Sequence, residues 1–375
     1  MLVAVAVSCV ASRANDSITS KIKLTPTGRL LVDGAVYFSD DKEFAAGAAI
    51  PEARLGLQGA YENFTAKVEV GVSYGKLVLK DIYIQARLGE RWHVRAGNFI
   101  HPFGLQSAYN SSMKTSMEMP TSNAVFDLPR SIGVKGKYYD NDWMAAMSVG
   151  VESKASVLSS TAMGKTGWGV DGRFVWRRAV EGSVVQIGWS GAWLAPQYNE
   201  DEELNHRSIS LSANFPTSVA KVKALSAIVD DASGYFKFTP ELLLCHGRVA
   251  LESQYYYGQV WRKDNAPAYK AYGAYALLRG IVKGGDYRYR SIDARLDAPA
   301  PKSIEVALQY NYTCLSDSHA GIRGGRISDV SCTLNWYINR YIIWRLRGGY
   351  SHNWDRADMS PIDVGCLQTR LQIIF

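Results

Sequence analysis

Basic side chains recur singly along this chain, at alternate positions within apolar runs. Lys67 stands between Ala66 and Val68 in FTAKVEVGV, Arg95 between Val94 and Ala96 in RWHVRAG, and Arg345 and Arg347 flank Leu346 in WRLRGG. Arg87, Arg173, Arg177 and Arg370 repeat the arrangement, and Glu69, Asp81, Asp171, Glu252 and Glu305 fall on the same faces. A period of two puts such residues on one side of a β-strand. Fixed cations around a narrow water-filled space concentrate anions and repel cations. The same charges could instead pair with carboxylates on neighbouring strands and stiffen a wall.

Other chemistries find little support. The five cysteines are far apart and give no zinc spacing. The six histidines form no H-x-x-x-H pattern, and there is no G-x-S-x-G turn. No catalytic residue, metal ligand or cofactor is therefore assigned. The net charge is +7 and the pI about 9.0, but Lys and Arg never form the dense tract that tracks a phosphate backbone, so nucleic acid is not an expected partner.

The elements that must carry these residues are strands. DIYIQARL opposes Ile82, Ile84, Ala86 and Leu88 to Asp81, Tyr83, Gln85 and Arg87, and IEVALQYNY opposes Ile304, Val306 and Leu308 to Glu305 and Gln309. Each run is near ten residues, enough to cross a bilayer when tilted, and no apolar stretch is long enough for a membrane helix. Tyr and Trp gather near strand ends, as in YYYG and SHNW, like interfacial girdles. About seventeen runs qualify as strands. Bacterial barrels use even numbers, which predicts sixteen.

Connections read as short turns (LGE, CHG, INR) and long polar loops: Ser39–Gly47, His101–Pro129, Tyr198–His206, Gly280–Pro301 and Ser316–Gly325. Short turns on one rim and long loops on the other describe an outer-membrane barrel. In the longest loop, Phe103, Lys114, Glu118 and Asp127, with Arg130 at its end, are candidates for a constriction folded into the lumen. Alternatively, SSMKTSMEM forms a short helix that packs methionines on the wall.

The start, MLVAVAVSCVASRA, reads as what is left of a signal peptide over residues 1–14, leaving 15–375 as one barrel domain. The end, VGCLQTRLQIIF, alternates strictly, with Leu367, Thr369, Leu371, Ile373 and Phe375 on the lipid side. A terminal aromatic on such a strand resembles the signal read by the barrel assembly machinery.

Several stretches resemble the phosphate-selective porin O and P family: GRLLVDGAVYF, VLKDIYIQARL followed by VRAGNFIHPFGLQ, MEMPTSNAVFDLPRSIGVKGKY, and GGRISDVSCTLNWYINRYIIWRLRGGYSH. The resemblance implies a trimeric, sixteen-stranded channel for anions in the outer membrane of a Gram-negative bacterium, with a constriction loop, a column of arginines and lysines at the narrowest point. This chain departs from that pattern. Its long loop holds one lysine, Lys114, and no regularly spaced arginine column is visible.

The sequence thus predicts an all-β transmembrane antiparallel barrel that passes small hydrophilic solutes and mildly favours anions, phosphate or polyphosphate among them. Its expected partners are outer-membrane lipid, the assembly machinery, small anionic solutes and two further copies of itself. The rival readings are a non-conducting receptor or structural barrel and, more remotely, a barrel-type hydrolase. A folded plug has no room, since few residues precede the first strand-like run.

Overall fold

The computed structural model describes residues 22–156, 165–197 and 208–375. The signal-peptide segment and the Tyr198–His206 loop lie outside them. Twenty strands follow in chain order: β1 (Lys23–Phe38), β2 (Gly47–Tyr61), β3 (Phe64–Ser73), β4 (Lys76–Leu88), β5 (Trp92–Phe99), β6 (Ser131–Tyr139), β7 (Trp143–Val151), β8 (Trp168–Val180), β9 (Ser183–Ala195) and β10 (Ile209–Asn214). Then come β11 (Lys223–Val229), β12 (Ala232–His246), β13 (Val249–Arg262), β14 (Tyr269–Lys283), β15 (Tyr289–Arg290), β16 (Arg295–Leu296), β17 (Ile304–Asp317), β18 (Ile322–Tyr337), β19 (Ile342–Arg356) and β20 (Ile362–Ile374).

Sixteen of these close an antiparallel barrel in which β1 pairs with both β2 and β20. The pairs β10–β11 and β15–β16 stand apart from the wall. Alternation sets the two faces. On β20, Leu367 and Leu371 are exposed outward while Gln368, Arg370 and Gln372 are buried inward. Lipid accepts the aliphatic face at no cost, whereas the closed ladder leaves no backbone N–H or C=O unpaired in hydrocarbon.

Three segments fold into the interior. The loop from Ile100 to Arg130 enters between β5 and β6 and carries one short helix, α1 (Thr121–Phe126). The β10–β11 hairpin lies inside the wall, where Arg347 donates to the Pro216 carbonyl and Asn353 to that of Ala224. Its Leu211, Phe215, Leu225 and Val229 join a buried apolar cluster with Phe126, Tyr256 and Ile327. The third segment is residues 284–303, between β14 and β17.

The last of these corrects an expectation. Gly280–Pro301 reads as one of the long loops on the long-loop rim, but chain direction puts 284–303 on the other rim, among turns of two to four residues. Alternation gives strand and turn but not the rim, which depends on counting every crossing. Ser316–Gly325, also read as a long loop, contains only a four-residue connection, 318–321.

Candidate functional site

The wall from β12 to β20 is taken up by the inserted loop. Ser122 donates to Asn311 Oδ1 through both its backbone N–H (3.0 Å) and its hydroxyl (2.6 Å), and the Thr121 hydroxyl to Asp329 (3.0 Å). The Gln106 side-chain amide reaches the Tyr275 hydroxyl, and Tyr109 donates to Glu252. Arginines anchor it from the wall. Arg345 donates to the carbonyls of Ser112 (3.2 Å), Thr115 (3.4 Å) and Lys114. Arg370 donates to the Met117 carbonyl (2.6 Å) while forking onto Asp33 (2.7 and 2.6 Å). Arg345 and Arg370 face each other directly across β19 and β20. Two guanidinium groups so placed repel, and the loop's carbonyl dipoles offset that repulsion.

Much of the wall from β1 to β8 instead borders water, although Ser111 of the loop reaches Arg29 and Glu52. Two cavities border it. The first, about 630 Å³, opens toward the long-loop end and is lined by four cations (Arg54, Lys114, Arg130, Arg370) and three carboxylates (Glu52, Glu118, Asp127). The second, about 450 Å³, lies toward the short-turn end. Its lining carries seven cations, Lys67, Arg95, Lys135, Lys137, Arg173, Arg290 and Arg295, against two carboxylates, Asp81 and Asp293. Both cavities border Ile100, Ser107 and Asn110 of the inserted loop, which therefore form the boundary between them.

Charges along this open wall pair in alternation. Arg29 meets Glu52 at 3.1 Å, Arg54 meets Glu69 at 2.8 Å, Lys67 meets Asp81 at 3.4 Å, and Arg130 meets Asp81 at 2.7 Å. Arg95 and Lys135 break the alternation. Arg95 donates to Gln85 (3.0 and 2.7 Å) and lies 3.8 Å over the Tyr83 ring, and Lys135 lies over the Phe99 ring. Among the described residues neither has a carboxylate within ion-pair distance, so both charges act on the cavity.

The sequence candidates distribute unevenly over this geometry. Lys114, Glu118, Asp127 and Arg130 line the first cavity, whereas Phe103 is fully buried in the apolar cluster and borders neither. Lys67, Arg95 and Arg173 line the second. Arg345 and Arg370 hold the loop, Arg347 holds the inner hairpin, and Arg177 holds residues 284–303. Arg87 sits at the short-turn rim against Asn63. Phe375 pairs with Gly28 through backbone bonds of 2.8 and 3.0 Å. SSMKTSMEM is a run of turns, with Met117 buried and Met119 exposed, and the helix comes after it. Burial pushes the Lys114 ammonium down to about 8, with Asp127 opposing, and burial raises the Asp127 carboxyl.

Sequence reasoning missed Lys135 and Lys137, although SIGVKGKYY alternates as strictly as any run named above. It also missed Arg279, fully buried between Glu252 (2.9 Å) and Glu305 (2.8 Å). A spatial constellation escaped it too. His101 Nδ1 lies 2.9 Å from Asp171, and its Nε2 lies 2.7 Å from the Ser131 hydroxyl. These are the bonds of a hydrolase triad. Here, however, all three residues are buried and Ser131 borders neither cavity. The imidazole stacks on Phe99 and packs against Gly133 and Gly150, so the group clasps the base of the inserted loop to β6, β7 and β8.

The comparisons with known proteins agree with this geometry. No curated protein matches the chain. The fold is similar to an anion-selective porin from Comamonas acidovorans (TM-score 0.61, 11% identity, covering 94% of this chain and 100% of that one). It is also similar to the trimer form of OmpT from Vibrio cholerae (0.57, 11%, 94% and 99%) and to the channel DcaP of Acinetobacter baumannii (0.57, 9%, 95% and 98%). The family model for phosphate-selective porin O and P matches residues 27–375. With that match covering all but the first four residues of the barrel wall, the chain belongs to the phosphate-selective porin O and P family and is a porin of the Gram-negative outer membrane.

Proposed function

We propose that the barrel passes small hydrophilic solutes by passive diffusion along the β1–β8 wall and mildly favours anions, inorganic phosphate among them. The excess of cations around the second cavity carries this reading: Lys67, Arg173 and Arg295 pair with Glu69, Glu241 and Asp297 behind the lining, and Arg95 and Lys135 are left without a carboxylate. In a tube with low-dielectric walls that excess raises the local concentration of anions. The first cavity, nearly balanced in charge, adds little selectivity. Lys114, Glu118, Asp127 and Arg130 therefore shape the passage, and the cations beyond Ser107 and Asn110 choose the ion. The test is the reversal potential of single channels in a planar bilayer under a KCl gradient. An anion-selective value supports the reading, and an unselective one removes it.

The three inserted segments favour a second reading, a barrel that does not conduct. Correctly folded protein giving no current steps would establish it. Among the described residues, the buried His101 clasp is the arrangement that most resembles a catalytic set.

We further propose a homotrimer, its seam on β2–β7. Strands β5, β6 and β7 have only eight or nine residues. At about 3.3 Å per residue and a tilt near 40°, such strands rise roughly 20 Å, short of the ~25 Å apolar band a lone barrel needs. At the long-loop ends of β3, β4 and β7 the exposed strand residues are aliphatic, Val70, Val72, Leu77 and Val149, whereas β8–β19 carry Trp168, Trp193, Trp261 and Tyr272 there. A low wall whose exposed strand aromatics, Phe64, Trp92 and Trp143, stand only at the short-turn end suits protein better than lipid along the other rim.

A further inference from the structure

The segment from Gly284 to Ser303 is twenty residues long on a rim where every other connection has two to four. It is bounded by Gly284-Gly285 on one side and Ala298-Pro299-Ala300-Pro301 on the other, a flexible and a stiff joint. Its tip, between β15 and β16, turns into the lumen and supplies Arg290, Ile292, Asp293 and Arg295 to the floor of the second cavity.

At the tip the wall cations bond mainly to main-chain carbonyls, with one carboxylate contact, Lys137 to Asp293 (3.2 Å), and with Ala294 and Leu296 packed in buried apolar clusters. Arg177 donates to the Ser291 carbonyl (2.7 Å), Lys137 to that of Ile292 (3.0 Å), and Arg173 to those of Asp293 (3.0 Å) and Ala294 (2.9 Å). Ala294 is buried with a φ of 49°, a left-handed conformation that costs a non-glycine residue stability. Neutral carbonyls are weaker acceptors for guanidinium and ammonium groups than a multiply charged oxyanion, and Arg173 and Lys137 already line the cavity an anion would occupy.

We propose that residues 284–303 are a hinged flap over the short-turn end of the channel, opened when a small oxyanion takes the N–H groups of Lys137, Arg173 and Arg177 from the flap carbonyls. The proposal rests on the channel reading for its purpose, but not for its motion. The anion binds better to the open state, where the flap has released those N–H groups while Arg173 keeps its fork onto Glu241 (2.9 and 2.7 Å), and so shifts the population toward it.

The flap carries its own probe, since trypsin cuts after Arg288, Arg290 and Arg295. With the full chain folded in detergent, inorganic phosphate at constant ionic strength should speed cutting within 284–303 over chloride. At roughly four times its dissociation constant the gain is about fivefold. Replacing residues 290–295 by two glycines, with folding checked by heat-modifiable migration, should enlarge the unit conductance and abolish its dependence on phosphate. Unchanged or slower cutting in phosphate overturns the oxyanion switch. Equal conductance with and without the flap tip overturns the gate. Silence of both proteins in the bilayer sinks the channel reading and the gate with it, whatever trypsin reports of the motion.

Discussion

The two halves of this barrel wall use the same inward-facing residues for different ends. Along β1–β8, Arg54 and Lys67 of the wall, and Arg130 just before β6, meet wall carboxylates and border water. On β12–β20, Arg345, Arg347 and Arg370 reach inserted carbonyls and are buried, and of the three only Arg370 also borders a cavity. What an inward arginine does is therefore set by which inserted segment it meets. A charge at the water-filled wall should tune selectivity at small cost in stability. A charge at the filled wall should do the reverse.

The largest expected effect lies on the filled side. Arg370→Leu leaves Asp33, fully buried, without its cation and should cost about 3–5 kcal/mol, the usual penalty for breaking a buried pair. Urea unfolding in lipid vesicles measures it; a loss no larger than that of Lys67→Met would erase the distinction between the halves. Next comes Gly150→Ala, at the clasp. A Cβ there would sit 2.6 Å from His101 Cε1, so the ring must shift, at about 1–3 kcal/mol by the same assay. A neutral result would mean that the loop base tolerates movement.

On the open side, Arg95→Glu with Lys135→Glu changes the second cavity from seven cations and two carboxylates to five and four. The anion-to-cation permeability ratio should fall roughly three- to tenfold, with stability nearly unchanged. A selectivity that does not move would place the filter elsewhere. The smallest effect concerns Lys114. Its ammonium is charged below about 8 and neutral above, so raising the pH from 6.5 to 9 should weaken anion preference slightly, with a midpoint near 8. Lys114→Met should remove that midpoint.

The wall was legible because alternation is a local property. Thr369, Leu371 and Ile373 against Gln368, Arg370 and Gln372 need no knowledge of the partner strands. The same logic would have found Lys135 and Lys137. The filling was not legible. Leu211 and Ala213 of the inner hairpin alternate with serines as wall residues do, yet face the apolar interior of the insert. Nothing in GGDYRYRSIDARLDAPAP says that its carbonyls are bonded to wall cations far away in sequence. Such contacts come from three-dimensional closure. The His101 clasp joins three segments by the same means, and no spacing rule could have drawn it.

Closure itself has a consequence for how the molecule comes to exist. Asp33 and Arg370 meet across the seam between β1 and β20, 337 positions apart. Joining them closes the longest loop in the wall and carries a correspondingly large entropic cost. Once they meet, the cylinder has no side entrance, only two mouths. After closure the inner hairpin and the loop bearing α1 reach their partners on β12–β20 only through those mouths. Arg370 ties the two together: it bonds Asp33 across the seam and the Met117 carbonyl of the loop, so one side chain links closure of the wall to the seating of its contents.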